Sequence, residues 1–283
     1  MATDPHWSLP GGVALVTGAA GGIGAALALN LARRGMALAL VDRDAAGLQA
    51  VADQAAAVGV AVSRHVIDLA ERAQVDGVLP AVLAAHGRLT LLVNNAGVAL
   101  GGRFEQVDEA DFDWLMRINF DAPVRLTRAC LPVLARAPAA LVVNVSSIFG
   151  IVAPPGQTAY CASKFALRGF SESLRHELAM AGSPVRLMLV HPGGVRTGIA
   201  DNARVAVTAT ADEVASEQAA WRVLLRLSPE QAAEQIARGI VRRAPRVLVG
   251  RDAAQAAWLQ RLMPVGYWAV MARDLARRTG RAA

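Results

Sequence analysis

The fold turns on residues 13–34, Val-Ala-Leu-Val-Thr-Gly-Ala-Ala-Gly-Gly-Ile-Gly-Ala-Ala-Leu-Ala-Leu-Asn-Leu-Ala-Arg-Arg. A short apolar run, Val13–Val16, gives way after Thr17 to glycines at 18, 22 and 24, and then to a helix-period segment from Ala25 to Arg34. In a strand, glycine turn and helix joined in this way, glycine lets the backbone approach a phosphate, and the free N–H groups and dipole of the helix start attract it. Thr17, Gly18, Gly22, Ile23 and Gly24 are therefore candidates for holding a pyrophosphate. Taken alone, the same spacing also fits a plain glycine-rich turn.

The pattern repeats along the 283 residues. Apolar runs at Ala37–Val41, Ala61–Ile67, Leu89–Val93, Leu141–Val145, Val185–Val190 and Arg246–Val249 alternate with helical segments. Among the helices are a long one over Asp108–Ala135 and another over Thr158–Ala181. Alternation of this kind predicts βαβ units: a Rossmann-type, doubly wound α/β domain of about seven parallel strands with helices on both faces, filling residues 1–283.

A hydrophobic fraction of 54% and a mean hydropathy of +0.35 invite a membrane reading. Two stretches lack Asp, Glu, Lys and Arg altogether. Pro5–Ala32 contains Pro10 and six glycines, and Ala137–Ser163 contains Asn144, Ser146, Ser147, Pro154, Pro155 and Gln157. Neither suits a spanning helix, which leaves buried strands and site loops. Two cysteines without CxxC spacing and five scattered histidines give no metal site and fit a reducing, cytoplasmic setting. Of the net charge of +6, +4 falls on residues 251–283, so the body carries no nucleic-acid footprint.

Asp42 ends the second strand, eighteen residues past Gly24, where a dinucleotide fold sets a carboxylate on the adenosine ribose. It repels a 2'-phosphate and favours NAD; the neighbouring Arg43 could pair with that phosphate and keeps NADP open. Asp68 and Leu69 follow the third strand, as an adenine contact or as a loop turn.

Tyr160-Cys161-Ala162-Ser163-Lys164 sets a phenol and an ammonium on one helix face. The chain has 28 Arg, two Tyr and one Lys, Lys164. That lone Lys falls four residues after a Tyr by chance about once in 140. A phenol of ordinary pKa needs about 4 kcal/mol to act as a base at neutral pH, and a cation about 4 Å away supplies that much at an effective dielectric near 20. Ser147 ends a buried strand thirteen residues earlier, where a hydroxyl can hold a substrate oxygen.

Together these residues resemble the short-chain dehydrogenase/reductase family over about Val13–Thr197. The motifs are Thr17-Gly18-x-x-x-Gly22-x-Gly24, Asn94-Asn95-Ala96-Gly97, Asn119, Ser147, Tyr160-x-x-x-Lys164 and Pro192-Gly193. The resemblance implies Tyr160 as acid/base, Lys164 lowering its pKa and binding the nicotinamide ribose, Ser147 polarising the carbonyl and Asn119 holding a relay water. It implies that Asn94 to Gly97, with Asn94, Ala96 and Gly97 as the cofactor contacts, steady the sheet and line the adenosine side. Pro192, Gly193, Val195 and Thr197 would hold the carboxamide, with His191 as packing. It also implies a homodimer or homotetramer.

Residues 198–227 are expected to form a substrate lid rich in Ala, Val and Leu with Trp221. Phe149 flanks Ser147, and Gln157 precedes Tyr160 as a candidate substrate contact. These point to a lipophilic secondary alcohol or ketone. The tail, 252–283, reads as two basic amphipathic helices split by Pro264, fit to cover the site, to pack on another subunit or to rest on an anionic membrane. Two other functions compete: a membrane-associated lipid dehydrogenase of steroid or retinoid type, and a non-catalytic dinucleotide sensor.

Overall fold

A computed structural model describes residues 6–210, 212–215 and 223–279. The strands are β1 (Val13–Thr17), β2 (Ala37–Asp42), β3 (Val62–Val66), β4 (Leu91–Asn94), β5 (Leu100–Gly101), β6 (Ala140–Val145), β7 (Val185–Pro192), β8 (Arg204–Val205) and β9 (Arg246–Val249). Seven form one parallel sheet in the order β3-β2-β1-β4-β6-β7-β9, and β5 pairs with β8 apart from it. Strand 1 has neighbours on both sides, so the chain reverses its winding between β1 and β4. The crevice above their carboxyl ends is where such sheets bind ligands.

The helices are α1 (Gly22–Arg33), α2 (Ala45–Ala56), α3 (Arg72–His86), α4 (Glu109–Met116), α5 (Ala122–Leu134), α6 (Thr158–Met180), α7 (Pro229–Val241), α8 (Arg251–Leu262) and α9 (Tyr267–Thr279). Successive strand residues point to opposite faces. Ala14 and Val16 join Leu27 and Leu31 of α1 and Ile236 and Ile240 of α7 on one side. Val13 and Leu15 join Val78 and Val82 of α3 and Leu126 and Leu134 of α5 on the other. Burial on both faces explains why the inner strands read as mainly apolar runs, whereas the edge strands β3 and β9 are half-exposed, and each fully buried leucine contributes about 2 kcal/mol.

The long helix expected over Asp108–Ala135 is two α-helices joined by a π turn, Arg117–Asp121. The β5/β8 pair, two residues on each side, was not anticipated.

The β1–α1 turn is latched to the segment after β4. Thr17 Oγ1 accepts from the N–H groups of Asn95 and Ala96, each at 3.1 Å, and Asn95 Nδ2 donates to Thr17 O at 2.9 Å. Gly18 has φ +66, and a Cβ there would stand 2.8 Å from Ala96 Cα. A Cβ on Gly24 would strike the carbonyl oxygen of Gly18. Glycine is needed at both positions because backbone packs on backbone.

Candidate active site

A cavity of about 620 Å³ opens above the carboxyl ends of β1, β4 and β6. At one end stands the first turn of α1. Its N-cap, Gly21, offers no side-chain cap, and the turn holds no acid. The amides of that turn are therefore available to an anion, and Gly21, Gly22 and Ile23 line the cavity. Asp42 lies beside them, its Oδ2 accepting from Ala20 N and its Oδ1 from Asp44 N, both at 3.1 Å. Arg43, Asp68 and Leu69 share this end, as does Gly18. Asp68 Oδ1 accepts from Ala70 N at 2.9 Å, so the residue also closes its own turn.

Three expected cofactor contacts sit behind the wall instead of on it. Thr17 is the latch described above, and Gly24 is covered by Gly18. Asn94 is buried, donating through Nδ2 to Asn144 Oδ1 at 2.8 Å and Thr127 Oγ1 at 3.1 Å. Strand alternation turns Asn94 inward, and the next residue, Asn95, lines the cavity together with Ala96 and Gly97. Pro192, Gly193, Val195 and Thr197, in the loop after β7, line the cavity farther on.

The reacting end is built by β6 and α6. Ser147 follows β6 and caps a short 3-10 turn, its Oγ accepting from Phe149 N at 3.1 Å. Across from it, Tyr160 and Lys164 lie one turn apart on the buried face of α6. The Tyr160 phenol stands beside the Ser147 hydroxyl, which draws its pKa down, and meets the Phe149 ring edge-on at 6.1 Å. Lys164 Nζ lies 5.5 Å from the centre of the Tyr160 ring and donates to Val145 O at 3.3 Å. Ser147, Phe149, Gln157, Tyr160 and Lys164 all line the cavity.

The electrostatics of this pair differ from expectation. Burial pushes the Tyr160 phenol up to about 12, with the Ser147 hydroxyl pulling it back down. Burial also brings Lys164 down to about 8. The ammonium stands over the ring and gives its hydrogen bond to a carbonyl, so desolvation outweighs attraction between the two groups. At neutral pH the site therefore holds a protonated phenol beside a mostly charged ammonium.

Asn119 lies in the π turn and is fully buried. Its Oδ1 accepts from Val98 N at 2.9 Å, and its Nδ2 donates to Val98 O at 3.0 Å and Ser163 Oγ at 3.1 Å. The side chain is thus committed to the segment after β4. Its own carbonyl would normally accept from the residue four ahead, which is Pro123 and has no N–H. A relay water would therefore have to use a group other than this committed side-chain amide. His191 is buried, and burial lowers it to about 4. As a neutral ring it donates Nδ1–H to Ser147 O at 2.8 Å, holding the strand end.

The tail supplies residues that the sequence did not assign. Asp252, in the first turn of α8, accepts from Gly194 N through Oδ2 at 2.6 Å. A Cβ on Gly193 would collide with the same carboxylate. Tyr267 OH accepts from Ala153 N at 2.9 Å, and Ala256 of α8 and Met271 of α9 line the cavity. Ile199, Ala200, Leu224 and Leu225 add a wall from the expected lid. Trp221 lies outside the described residues.

A doubly wound sheet with an uncapped phosphate turn, and with a Ser, Tyr and Lys converging at the far end of the same cavity, defines a dinucleotide-type oxidoreductase fold. The family model for short chain dehydrogenases matches residues 12–208, and the chain belongs to that family of oxidoreductases. It is 40% identical over 270 residues to SadH of Mycobacterium tuberculosis, a protein named as an oxidoreductase, covering 95% of this chain and 97% of the relative. A short-chain dehydrogenase/reductase of Burkholderia phymatum, solved with NAD, is similar at TM-score 0.84 and 30% identity, over 90% of this chain and 95% of the other. An alcohol dehydrogenase of Thermococcus sibiricus, solved with 5-hydroxy-NADP, is similar at TM-score 0.68 and 27% identity, over 80% and 88%.

Proposed function

We propose that the chain interconverts a lipophilic secondary alcohol and its ketone with NAD, using Tyr160 as the acid/base. The observation that carries this reading is the convergence of Ser147, Tyr160 and Lys164 on one cavity, with Lys164 Nζ 5.5 Å from the centre of the phenol ring.

The residues present fit a dinucleotide. The uncapped start of α1, with Gly18 pressed on Ala96, is a cradle that only bare backbone can form, and it suits a pyrophosphate. Asp42 would take the ribose hydroxyls and repel a 2'-phosphate, which favours NAD. Asp68 and Leu69 would flank the adenine, and Val195 and Thr197 the carboxamide. The bound nicotinamide supplies or removes the hydride.

The chain's own groups hold the substrate and move the proton. Ser147 donates to the substrate oxygen and holds it against the phenol. In reduction Tyr160 gives its proton to that oxygen as the carbon gains hydride. In oxidation the alcohol proton goes to Tyr160 as the carbon loses hydride. Raised by burial, the phenol is an acid at rest, which suits the reduction step. Lys164 stabilises the phenolate once the proton has left, and a relay water near Asn119 would restore it. The apolar wall of Phe149, Val152, Leu224 and Met271 excludes bulk water.

A panel of secondary alcohols and ketones, followed by nicotinamide absorbance with NAD and NADP, tests the reading. Tight NAD binding with no turnover across the panel would leave a cofactor sensor instead.

One observation favours a second reading, docking on an anionic membrane surface. Trp258, Leu262 and Val265 are exposed on α8 and the turn after it, with Arg261 among them. Among the described residues no helix is long and apolar enough to cross a membrane. Equal binding of the full chain to neutral and anionic vesicles would remove the docking idea.

A further inference from the structure

We infer that the substrate is elongated and uncharged, with its reacting carbon at Ser147 and Tyr160 and its tail in a second chamber under α9. This rests on the dehydrogenase reading above. The second chamber has a volume of about 600 Å³ and shares Phe149, Gln157 and Leu224 with the first. Those three residues form the junction. Each volume lies in the range of small-molecule sites, about 300–1,000 Å³. A dinucleotide held by the α1 turn and the Pro192–Thr197 loop would occupy that part of the first cavity, so the substrate's bulk would leave the reacting centre on the other side.

The junction gives that direction. Phe149 packs edge-on against Tyr160 itself, so a group leaving the phenol along this ring enters the second chamber. Beyond it the walls are mainly apolar: Pro154, Val205, Val214 and Trp268. Val205 of β8 and Gly102 stand on one side and Trp268 and Leu275 of α9 on another, and Tyr267 pins α9 by its bond from Ala153. The chamber therefore exists only because the tail folds back, which gives the tail a role in substrate choice.

The charged lining argues for a neutral tail. Arg103 donates to Glu105 at 2.8 Å and to Glu213 at 2.6 Å, so its charge is already matched by two carboxylates. Asp212 adds a further negative charge at the same wall. An alkyl or aryl tail fits there, whereas a carboxylate or phosphate would face excess negative charge.

The test uses the full chain with NADH and linear methyl ketones from butyl to decyl. The expected kcat/KM rises about fourfold per added methylene until the chamber is filled. Calorimetric binding of the same ketones should tighten in parallel, and an ω-carboxylate of equal length should bind at least tenfold more weakly. Ala209→Trp, which narrows the chamber, should shorten the preferred chain, and Trp268→Ala, which widens it, should lengthen it. Turnover that is flat with chain length, in the wild type and both variants, overturns the chamber while leaving the dehydrogenase reading intact. Absence of turnover with every ketone, short ones included, overturns the dehydrogenase reading itself.

Discussion

Replacing Lys164 by Met is expected to make the protein more stable and inactive at once. Burial lowers this ammonium from an ordinary 10.5 to about 8. Each pKa unit is worth about 1.4 kcal/mol, so keeping the charge inside the fold costs about 3 kcal/mol at pH 7. Methionine also removes the bond that Nζ donates to Val145 O, worth about 1 kcal/mol. The net gain is about 2 kcal/mol, a rise in Tm of about 4 °C. The pH dependence follows from the direction of the shift. Because the folded state gives up this proton first, the unfolded chain binds more protons between pH 8 and 10.5, and wild-type stability rises across that window. The advantage of the variant is therefore full below pH 8 and gone above 10.5. Denaturant unfolding at a series of pH values, with activity assayed alongside, measures both halves. A variant less stable than wild type at neutral pH, or a stability gap that ignores pH, would refute the claim that desolvation dominates at this residue.

Tyr160→Phe should keep NAD affinity while turnover falls by about a hundredfold to ten-thousandfold; binding titration and steady-state rates check this together, and undiminished turnover would remove the phenol from the mechanism. Asp42→Ala should shift the NADP-to-NAD ratio of kcat/KM by about tenfold toward NADP, equivalent to about 1.4 kcal/mol. An unchanged ratio would mean that Arg43 or other groups set the preference. Gly18→Ala should lower unfolding free energy by about 2–4 kcal/mol, because it combines a left-handed φ with a Cβ pressed on Ala96. Chemical unfolding measures this, and a loss under 1 kcal/mol would mean the turn relaxes at little cost.

The inner strands β1, β2, β4, β6 and β7 were legible because burial on both faces makes each a short, mainly apolar run, whereas the half-exposed edge strands β3 and β9 were placed by shorter Val-rich pieces; the matched boundaries differ by at most two residues. The β5/β8 pair was not legible, since two residues carry no period. The π turn escaped for a related reason: the 3.6-residue pattern continues on both sides of Arg117–Asp121, and only the backbone reveals the extra residue. Asn94 and Asn95 show the limit of motif reading. The motif names both, but a one-residue alternation sends the first into the Asn144 and Thr127 network and the second to the cavity. The Tyr160–Lys164 spacing was visible, while the sign of the phenol shift was not. It depends on how much wall surrounds the pair, and that wall comes from distant segments.

Those segments meet at one residue. Gly194 gives its N–H to Asp252 of α8, and its carbonyl accepts from the N–H groups of Arg226 and Leu227, both at 3.0 Å. The loop that follows β7, the end of the 198–227 segment and the start of the tail are therefore joined through a single residue. Sequence separation hid this, because Gly194 and Asp252 stand 58 residues apart. The consequence is physical coupling: a shift of the loop after β7 pulls on Leu224 and Leu225 through one set of bonds and on Ala256 through the other. The same loop that would seat the nicotinamide is thus bonded directly to the segments that carry Leu224, Leu225 and Ala256 of the cavity wall.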